Sequence, residues 1–274
     1  MARGTGEHAA NNNRNNNRNN CSSRVGKKTS NNLKSKNSEG EMQMSRPHVS
    51  IIIPTLNEEE NIAEMLSGVR KIMSRLASSY ELIVVDGGRK GPSTDRTVEI
   101  AKRHGAKVLY DFKGKGSALV TGFAAAKGDV IVSMDADLSH KPEELRLLIA
   151  GIDAGYDVCL GSRFLVGGGT ADMPRYRIFG NWVLLKLVNL LYGSRYTDLC
   201  YGYRSFSRNG LKKIGTLREL EYGIETEINI KAQKARLRVL EVPSYEKKRG
   251  GGKAKVQSVG TGMMALRTIL RNLR

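Results

Sequence analysis

From residue 49 onward the chain alternates short, mostly apolar runs with longer amphipathic ones, and this alternation limits the fold more than any other feature. Residues 49–53 are Val-Ser-Ile-Ile-Ile, closed by Pro54, and 58–75 carries the period of a helix. A second buried strand at 82–85 ends in Asp86-Gly87-Gly88, and a helix over 94–103 stops at Gly105. Residues 107–110 predict a third strand, 117–127 a helix stopped by Gly128, and 129–134 a fourth strand. Pro142, suited to a first helical turn, opens a helix over 142–154, which Gly155 ends before a strand at 157–161. Such strands, separated by helices, predict an α/β fold: a mostly parallel sheet with helices on both faces. Ligands of these sheets bind beyond the carboxyl ends of the strands, where residues 54–58, 86–88 and 135–137 all fall.

The last of these stretches carries the most chemistry. Met134-Asp135-Ala136-Asp137-Leu138-Ser139-His140 follows the apolar Val130-Ile131-Val132 and puts two carboxylates where a strand runs out into solvent. Residues two apart on a strand share a face, so Asp135 and Asp137 can aim at one hard cation. Mg²⁺ or Mn²⁺ prefers carboxylate oxygens plus substrate phosphates to a cage made of protein alone, so a nucleotide diphosphate is the natural ligand. An isolated Asp-x-Asp is more often two solvated loop residues, and the neighbouring motifs decide between the readings.

Residues 1–46 read differently from the rest. Eight of the ten residues from 11 to 20 are Asn, basic residues outnumber acidic ones nine to three, and apolar periodicity is almost absent. Such a segment cannot bury enough surface to offset its ordering entropy and is expected to be disordered. It lacks the apolar core of a signal peptide, and Met42 and Met44 offer alternative starts. Of the formal charge of +18, +12 lies beyond this tail, so the folded part should seek anionic partners. Cys21, Cys159 and Cys200 form no Cys-x-x-Cys pair and the four histidines have no zinc-ligand spacing, which fits a reducing, cytoplasmic setting without disulfides or zinc. The longest mostly apolar run, 178–191, is interrupted by Gly180, Asn181, Lys186 and Asn189 and falls short of the roughly 20 residues of a spanning helix.

Taken in order, Val49-Ser50-Ile51-Ile52-Ile53-Pro54-Thr55-Leu56-Asn57-Glu58-Glu59, Val84-Val85-Asp86, Lys113-Gly114-Lys115-Gly116, the 134–140 motif, Gly161-Ser162-Arg163-Phe164 and Tyr201-Gly202-Tyr203-Arg204 resemble the signature of family 2 glycosyltransferases of the GT-A fold. Within that family they resemble the dolichyl/polyprenyl-phosphate mannose synthase-like branch. The resemblance runs from about residue 47 to 274, with a transferase domain at 47–243 and a basic loop and amphipathic helix at 244–274. It implies an inverting transferase that uses Mg²⁺ or Mn²⁺. The expected reaction moves mannose from GDP-mannose, or glucose or N-acetylglucosamine from a UDP-sugar, to polyprenyl or dolichyl phosphate. By resemblance, Pro54, Leu56 and Glu58 border the base and ribose, Asp86 contacts the base, and Lys115 joins the nucleotide site. Asp135 then lies near the ribose and diphosphate, Asp137 ligates the metal with Ser139 nearby, and Arg163 belongs to the catalytic set. One departure bears on the base: the family usually writes Asp-Asp-Gly-Ser-x-Asp-Gly-Thr after the second strand. Here Asp86-Gly87-Gly88-Arg89-Lys90-Gly91-Pro92-Ser93-Thr94-Asp95 lacks the second Asp and is longer.

The chemistry also follows without the family. A phosphate monoester acceptor, with a second pKa near 6, is largely ionised at neutral pH and needs no general base. A sugar hydroxyl would need one. What remains is a cation for the leaving diphosphate and guanidinium groups for the acceptor phosphate, for which Arg163, Arg175, Arg177 and Arg204 are candidates against the alternative of solvated surface charge. Glu225 and Glu227, in a helix over 222–235, match a family position near the acceptor but equally fit a helix surface. After a strand at 237–242, the loop Lys247-Lys248-Arg249-Gly250-Gly251-Gly252-Lys253-Ala254-Lys255 has the composition of a mobile anion-gripping flap, and by resemblance Arg249, Lys253 and Lys255 contact phosphate. The last helix sets Met263, Leu266, Leu270 and Leu273 on one face and Arg267, Arg271 and Arg274 on another, suiting either an anionic membrane surface or a packed core, and 178–191 carries the same two readings.

The expected partners are a nucleotide-sugar, a polyprenyl phosphate, the membrane surface as a peripheral site, and a membrane-anchoring subunit. A transferase acting on a non-lipid sugar acceptor is the first alternative. A nucleotidyltransferase would carry a Gly-rich segment with Arg-Lys where this chain has Pro54-Thr55-Leu56-Asn57-Glu58. A nucleic-acid binder would need a recognisable module and more than 6% aromatics for base stacking.

Overall fold

The computed structural model describes residues 48–77, 79–252 and 258–273. The chain separates into two units, 1–43 and 44–274, of which the first lies outside the described residues, as do Lys253, Lys255 and Arg274.

The second unit runs β1 (Val49–Thr55), α1 (Glu59–Leu76), β2 (Tyr80–Asp86), α2 (Thr97–Arg103), β3 (Lys107–Tyr110), α3 (Lys115–Ala125), β4 (Val130–Ser133), α4 (Leu145–Asp153) and β5 (Val158–Ser162). It continues with β6 (Gly169–Thr170), α5 (Arg175–Tyr192), β7 (Arg204–Ser207), α6 (Arg208–Ile214), α7 (Ile224–Lys234), β8 (Val239–Pro243), β9 (Tyr245–Glu246) and α8 (Ser258–Arg271). Seven strands form one sheet in the order β3-β2-β1-β4-β7-β5-β8, while β6 and β9 pair separately. Every contact in the large sheet is parallel except those of β7, which runs antiparallel to β4 and β5.

The mostly apolar strands are explained by two cores. Alternate residues of a strand face opposite ways, so Ile51, Ile53, Val84 and Val132 pack against α1, α2 and α4, while Ile52, Ile83, Val85 and Ile131 pack against helices of the opposite face. On α1 the stripe Ile62, Met65, Leu66, Val69 and Met73 is fully buried, each side chain contributing about 1.5–3 kcal/mol. The α/β fold expected from the sequence, a mostly parallel sheet with helices on both faces, is thus present.

Three local departures have physical causes. The helix read from residue 94 begins at Thr97, because the Asp95 carboxylate accepts from Thr97 N–H while Ser93 and Thr94 are drawn to Asp86 and Asn57. Strand β7 was not foreseen: Arg-Ser-Phe-Ser carries a single apolar residue, Phe206, yet lies between two buried strands. Its antiparallel direction brings its first residues, just after Tyr201-Gly202-Tyr203, to the sheet edge where β1, β2 and β4 end. Asp135 and Asp137 lie beyond the end of β4 rather than on it, so the shared-face reading is replaced by a tight loop with Leu138 at φ 66°.

The glycines of Lys113-Gly114-Lys115-Gly116 receive the segment 219–221 on the N-terminus of α3. A Cβ on Gly116 would stand 2.3 Å from Glu219 O and 2.8 Å from Glu221 O, both backbone atoms with little room to yield. Gly116→Ala should therefore lower stability by about 1–3 kcal/mol in urea unfolding, and an unchanged midpoint would contradict this close approach.

Candidate functional site

Two cavities open at this sheet edge and share a wall. The first, about 380 Å³, is bordered by Pro54 near the end of β1, Leu56 and Glu58 just after it, Gly87, Gly88 and Arg89 after β2, and Tyr222 before α7. The second, about 570 Å³, reaches from Ser139, His140 and Arg163 to an apolar end between α5 and α8. Lys115, Asp135, Asp137, Tyr222, Arg249 and Thr261 line both.

Each carboxylate of the wall has its own cation. Lys115 Nζ lies 2.8 Å from Asp135 Oδ1 and 3.1 Å from Glu225 Oε1, with the Tyr222 ring centroid at 5.6 Å. Burial works against the ionised forms of both partners, yet their mutual attraction raises the Lys115 pKa and holds Asp135 down at about 2. Arg249 bridges Asp137 Oδ2 at 3.1 Å and Glu58 Oε2, and burial is outweighed by these carboxylates so that its pKa rises. The segment carrying Arg249 is pinned over the loop, with Lys247 N–H on Ser139 O and Gly250 N–H on Asp137 O, both at 2.9 Å. Ser139 Oγ donates to Asp137 Oδ1 at 2.6 Å, which turns that carboxylate toward the wall. His140 is buried and its pKa is lowered chiefly by that burial, so the ring is neutral near pH 7.

The remaining residues singled out in the sequence separate clearly. Arg177 lines the second cavity, whereas Arg175 is exposed and lines neither. Arg204 is not an acceptor-facing group: it is buried, and it donates to Tyr201 O, to Glu225 O and to Asn229 Oδ1, tying β7 to α7. Arg163 lines the second cavity, but Asp198 holds it bidentately at 2.7 and 2.9 Å and Glu246 at 3.1 Å, with its guanidinium 4.7 Å from the Tyr201 ring. Its charge is balanced within the protein, so it is an anchor of the wall rather than a free catalytic cation. Asp86 is also reassigned: fully buried, it accepts from Thr55 Oγ1, Ser93 N–H and Ser93 Oγ, and the longer loop has taken the carboxylate expected to meet the base. Glu225 and Glu227 are buried, the first on Lys115 and the second on Lys231 and the Arg218 and Glu219 N–H groups, which removes the helix-surface reading. Tyr222, Asp198 and Glu246 went unremarked in the sequence because they come from loops and a two-residue strand without motif spacing, and Thr261 because it is a lone polar residue on the last helix.

The donor set suits a hard divalent cation. No group of three or more His, Cys, Asp or Glu side chains able to hold a metal occurs among the described residues. Mg²⁺ and Mn²⁺ nonetheless bind through one or two carboxylates completed by phosphate oxygens and water, and Asp137 and Asp135, at the meeting of two cavities, could supply that part. Arg249, already between two carboxylates, marks the place where positive charge is required.

The family model "Glycosyl transferase family 2" matches residues 50–215. A dolichol-phosphate mannosyltransferase from Pyrococcus furiosus is 41% identical over 131 residues, covering 47% of this chain and 37% of that protein. The low-salt glycan biosynthesis hexosyltransferase Agl6 of Haloferax volcanii is 33% identical over 234 residues, 82% of this chain and 54% of its own length. The chain thus spans between about a third and about half of these two relatives. Among solved structures, glucosyl-3-phosphoglycerate synthase from Mycobacterium tuberculosis, in complex with Mn²⁺, UDP and glucosyl-3-phosphoglycerate, superposes with a TM-score of 0.64 at 22% identity, over 82% of this chain and 79% of that one, a likeness of fold.

The Lys115 pairing has a measurable consequence. An unfolded Asp titrates near 4, so ionised Asp135 stabilises the fold fully above that pH, and the contribution is lost as pH falls toward 2. Lys115→Met leaves two carboxylates without their common partner. It should cost about 3–5 kcal/mol at neutral pH and move acid unfolding to higher pH, and an unmoved acid midpoint would contradict the pairing.

Proposed function

Because this chain belongs to glycosyl transferase family 2, we propose that it transfers a sugar from a nucleoside diphosphate to a polyprenyl phosphate at a membrane surface, with inversion. The observation that carries this reading is the pair of cavities joined at Lys115, Asp135, Asp137 and Arg249, the second of which ends in apolar side chains between α5 and α8. The nucleotide occupies the first, with Pro54, Leu56 and Glu58 along its base and ribose. The acceptor phosphate enters the second, near Arg177 and Arg249, and its first isoprene units lie along Met173, Phe179, Val183, Met263 and Leu266. The mannosyltransferase name of the Pyrococcus relative makes mannose the first sugar to test, from GDP-mannose, with UDP-glucose and UDP-N-acetylglucosamine beside it.

An ionised oxygen of the acceptor attacks the anomeric carbon, the bond from that carbon to the diphosphate oxygen breaks, and nucleoside diphosphate leaves with the electron pair. No proton need be removed from the nucleophile. Mg²⁺ or Mn²⁺, held by Asp137 with Ser139 and Asp135 close by, would supply charge stabilisation of the leaving diphosphate. Lys115 fixes Asp135, and Arg249 can pass from Asp137 to phosphate because its bonds lie in a glycine-rich segment.

Membrane contact fits the outward face of α8. Ala265 and Ile269 point into the core, while Met263, Leu270 and Leu273 are exposed beside Arg267; on α5, Phe179, Trp182 and Leu190 are likewise exposed. No helix among the described residues is long and apolar enough to cross a membrane. A basic face with protruding apolar side chains suits a leaflet carrying anionic lipid.

Two tests follow. Nucleoside diphosphate should be released only when polyprenyl phosphate is present, and Asp137→Ala should remove nearly all turnover without unfolding the protein; normal turnover by the folded variant, or release driven equally by a small sugar acceptor, would refute the reading. Arg267→Glu combined with Leu270→Ser should lower co-sedimentation with vesicles of anionic lipid at least tenfold, whereas unchanged sedimentation would leave α8 without a role at the membrane.

A further inference from the structure

His140 is 1% exposed, yet it forms part of the lining of the second cavity. Its ring stacks on Tyr203 with centroids 4.7 Å apart and planes at 4°, and meets Tyr201 edge-on at 4.8 Å. Both tyrosines are themselves tied down, Tyr203 by donating to Lys141 O and Tyr201 by a hydroxyl pair with Ser244. The imidazole therefore has one orientation. In it, Nδ1 accepts the Asp135 N–H at 3.0 Å. A ring nitrogen that accepts carries no proton, so the proton of the neutral ring is on Nε2. That N–H stands 4.0 Å from Asp135 Oδ2, beyond hydrogen-bond reach, and has no hydrogen-bond acceptor among the described residues. The ring is held rigidly and lines the second cavity, so this outer donor is open to whatever occupies that cavity, in a fixed direction.

We propose that His140 is a substrate-binding residue whose Nε2–H donates to an anionic oxygen of the acceptor phosphate, while Nδ1 holds the backbone of Asp135. This rests on the second cavity being the acceptor site. The division of labour is chemical: Arg177 and Arg249 bring charge to a dianion, and the neutral, directionally fixed N–H sets which oxygen faces the sugar. One ring thus couples acceptor orientation to the carboxylate that faces the nucleotide.

Two substitutions separate the two nitrogens. His140→Asn keeps an acceptor near the Nδ1 position and removes the outer donor, and His140→Gln keeps a donor near the Nε2 position and removes the inner acceptor. With a short, water-soluble polyprenyl phosphate, His140→Asn should raise the acceptor KM about 10- to 100-fold, the range for a hydrogen bond to a charged oxygen. Its nucleoside diphosphate Kd should stay near wild type while its melting temperature falls by a few degrees through lost ring packing, and His140→Gln should recover most of the acceptor KM. An unchanged acceptor KM in folded His140→Asn overturns the proposal, and so does a rise confined to the donor KM, which would assign the N–H to the transferred sugar. A readout independent of turnover is the ¹⁵N–¹H signal of the His140 Nε2–H in the wild-type protein, which should shift on saturation with farnesyl phosphate. A signal that does not move overturns the inference even if transfer proceeds. Absence of nucleoside diphosphate release from wild type, with that shift present, would instead refute the proposed reaction and leave the phosphate contact standing.

Discussion

Glu58, Asp135, Asp137 and Glu225 converge at one edge of the sheet, and the structure there depends on keeping four carboxylates together without their neutralising each other by taking up protons. Two cations do this, Lys115 between Asp135 and Glu225 and Arg249 between Asp137 and Glu58. Each belongs to a different part of the chain, one to the start of α3 and the other to the segment after β9. The electrostatics therefore fasten the nucleotide side of the fold to its C-terminal part.

This arrangement also accounts for the crowding around α3. Lys115 can reach both carboxylates only if its helix begins where α7 and the 219–222 segment press against it, which is why Gly114 and Gly116 flank it. Arg204, beneath them, ties Tyr201 O to the backbone of Glu225. The burial costs of Lys115 and Arg249 are met by two carboxylates each, whereas Arg204 keeps its Nε buried without a hydrogen-bond partner among the described residues, and a substitution that removes one partner leaves a charge stranded.

Much of this was legible in the sequence where a motif and an element coincide. The strands 49–53, 82–85 and 129–134 are mostly apolar because both their faces are buried, and the 54–58 and 135–139 segments fall at their ends. The sequence could not show which arginines remain available, since Arg163 and Arg204 are consumed by Asp198, Glu246, Asn229 and main-chain carbonyls contributed from 25 or more residues away in most cases. Asp86 illustrates the same limit: its motif position was evident, but Ser93, seven residues on in an unusually long loop, takes the carboxylate. Helix α8 shows the reverse, an amphipathic periodicity in which Met263 and Leu270 face outward while Ala265 and Ile269 meet the core.

The central claim is that one wall, built from Asp135, Asp137, Lys115 and Arg249, serves both cavities as the place where diphosphate leaves and acceptor arrives. A crystal structure with Mn²⁺ and a nucleoside diphosphate tests it most directly. Anomalous density for Mn²⁺ within bonding distance of the Asp137 carboxylate, with the diphosphate lying along the wall toward Lys115 and the base beside Leu56, is the expected result. Metal bound away from Asp137, or a diphosphate outside the first cavity, would contradict it.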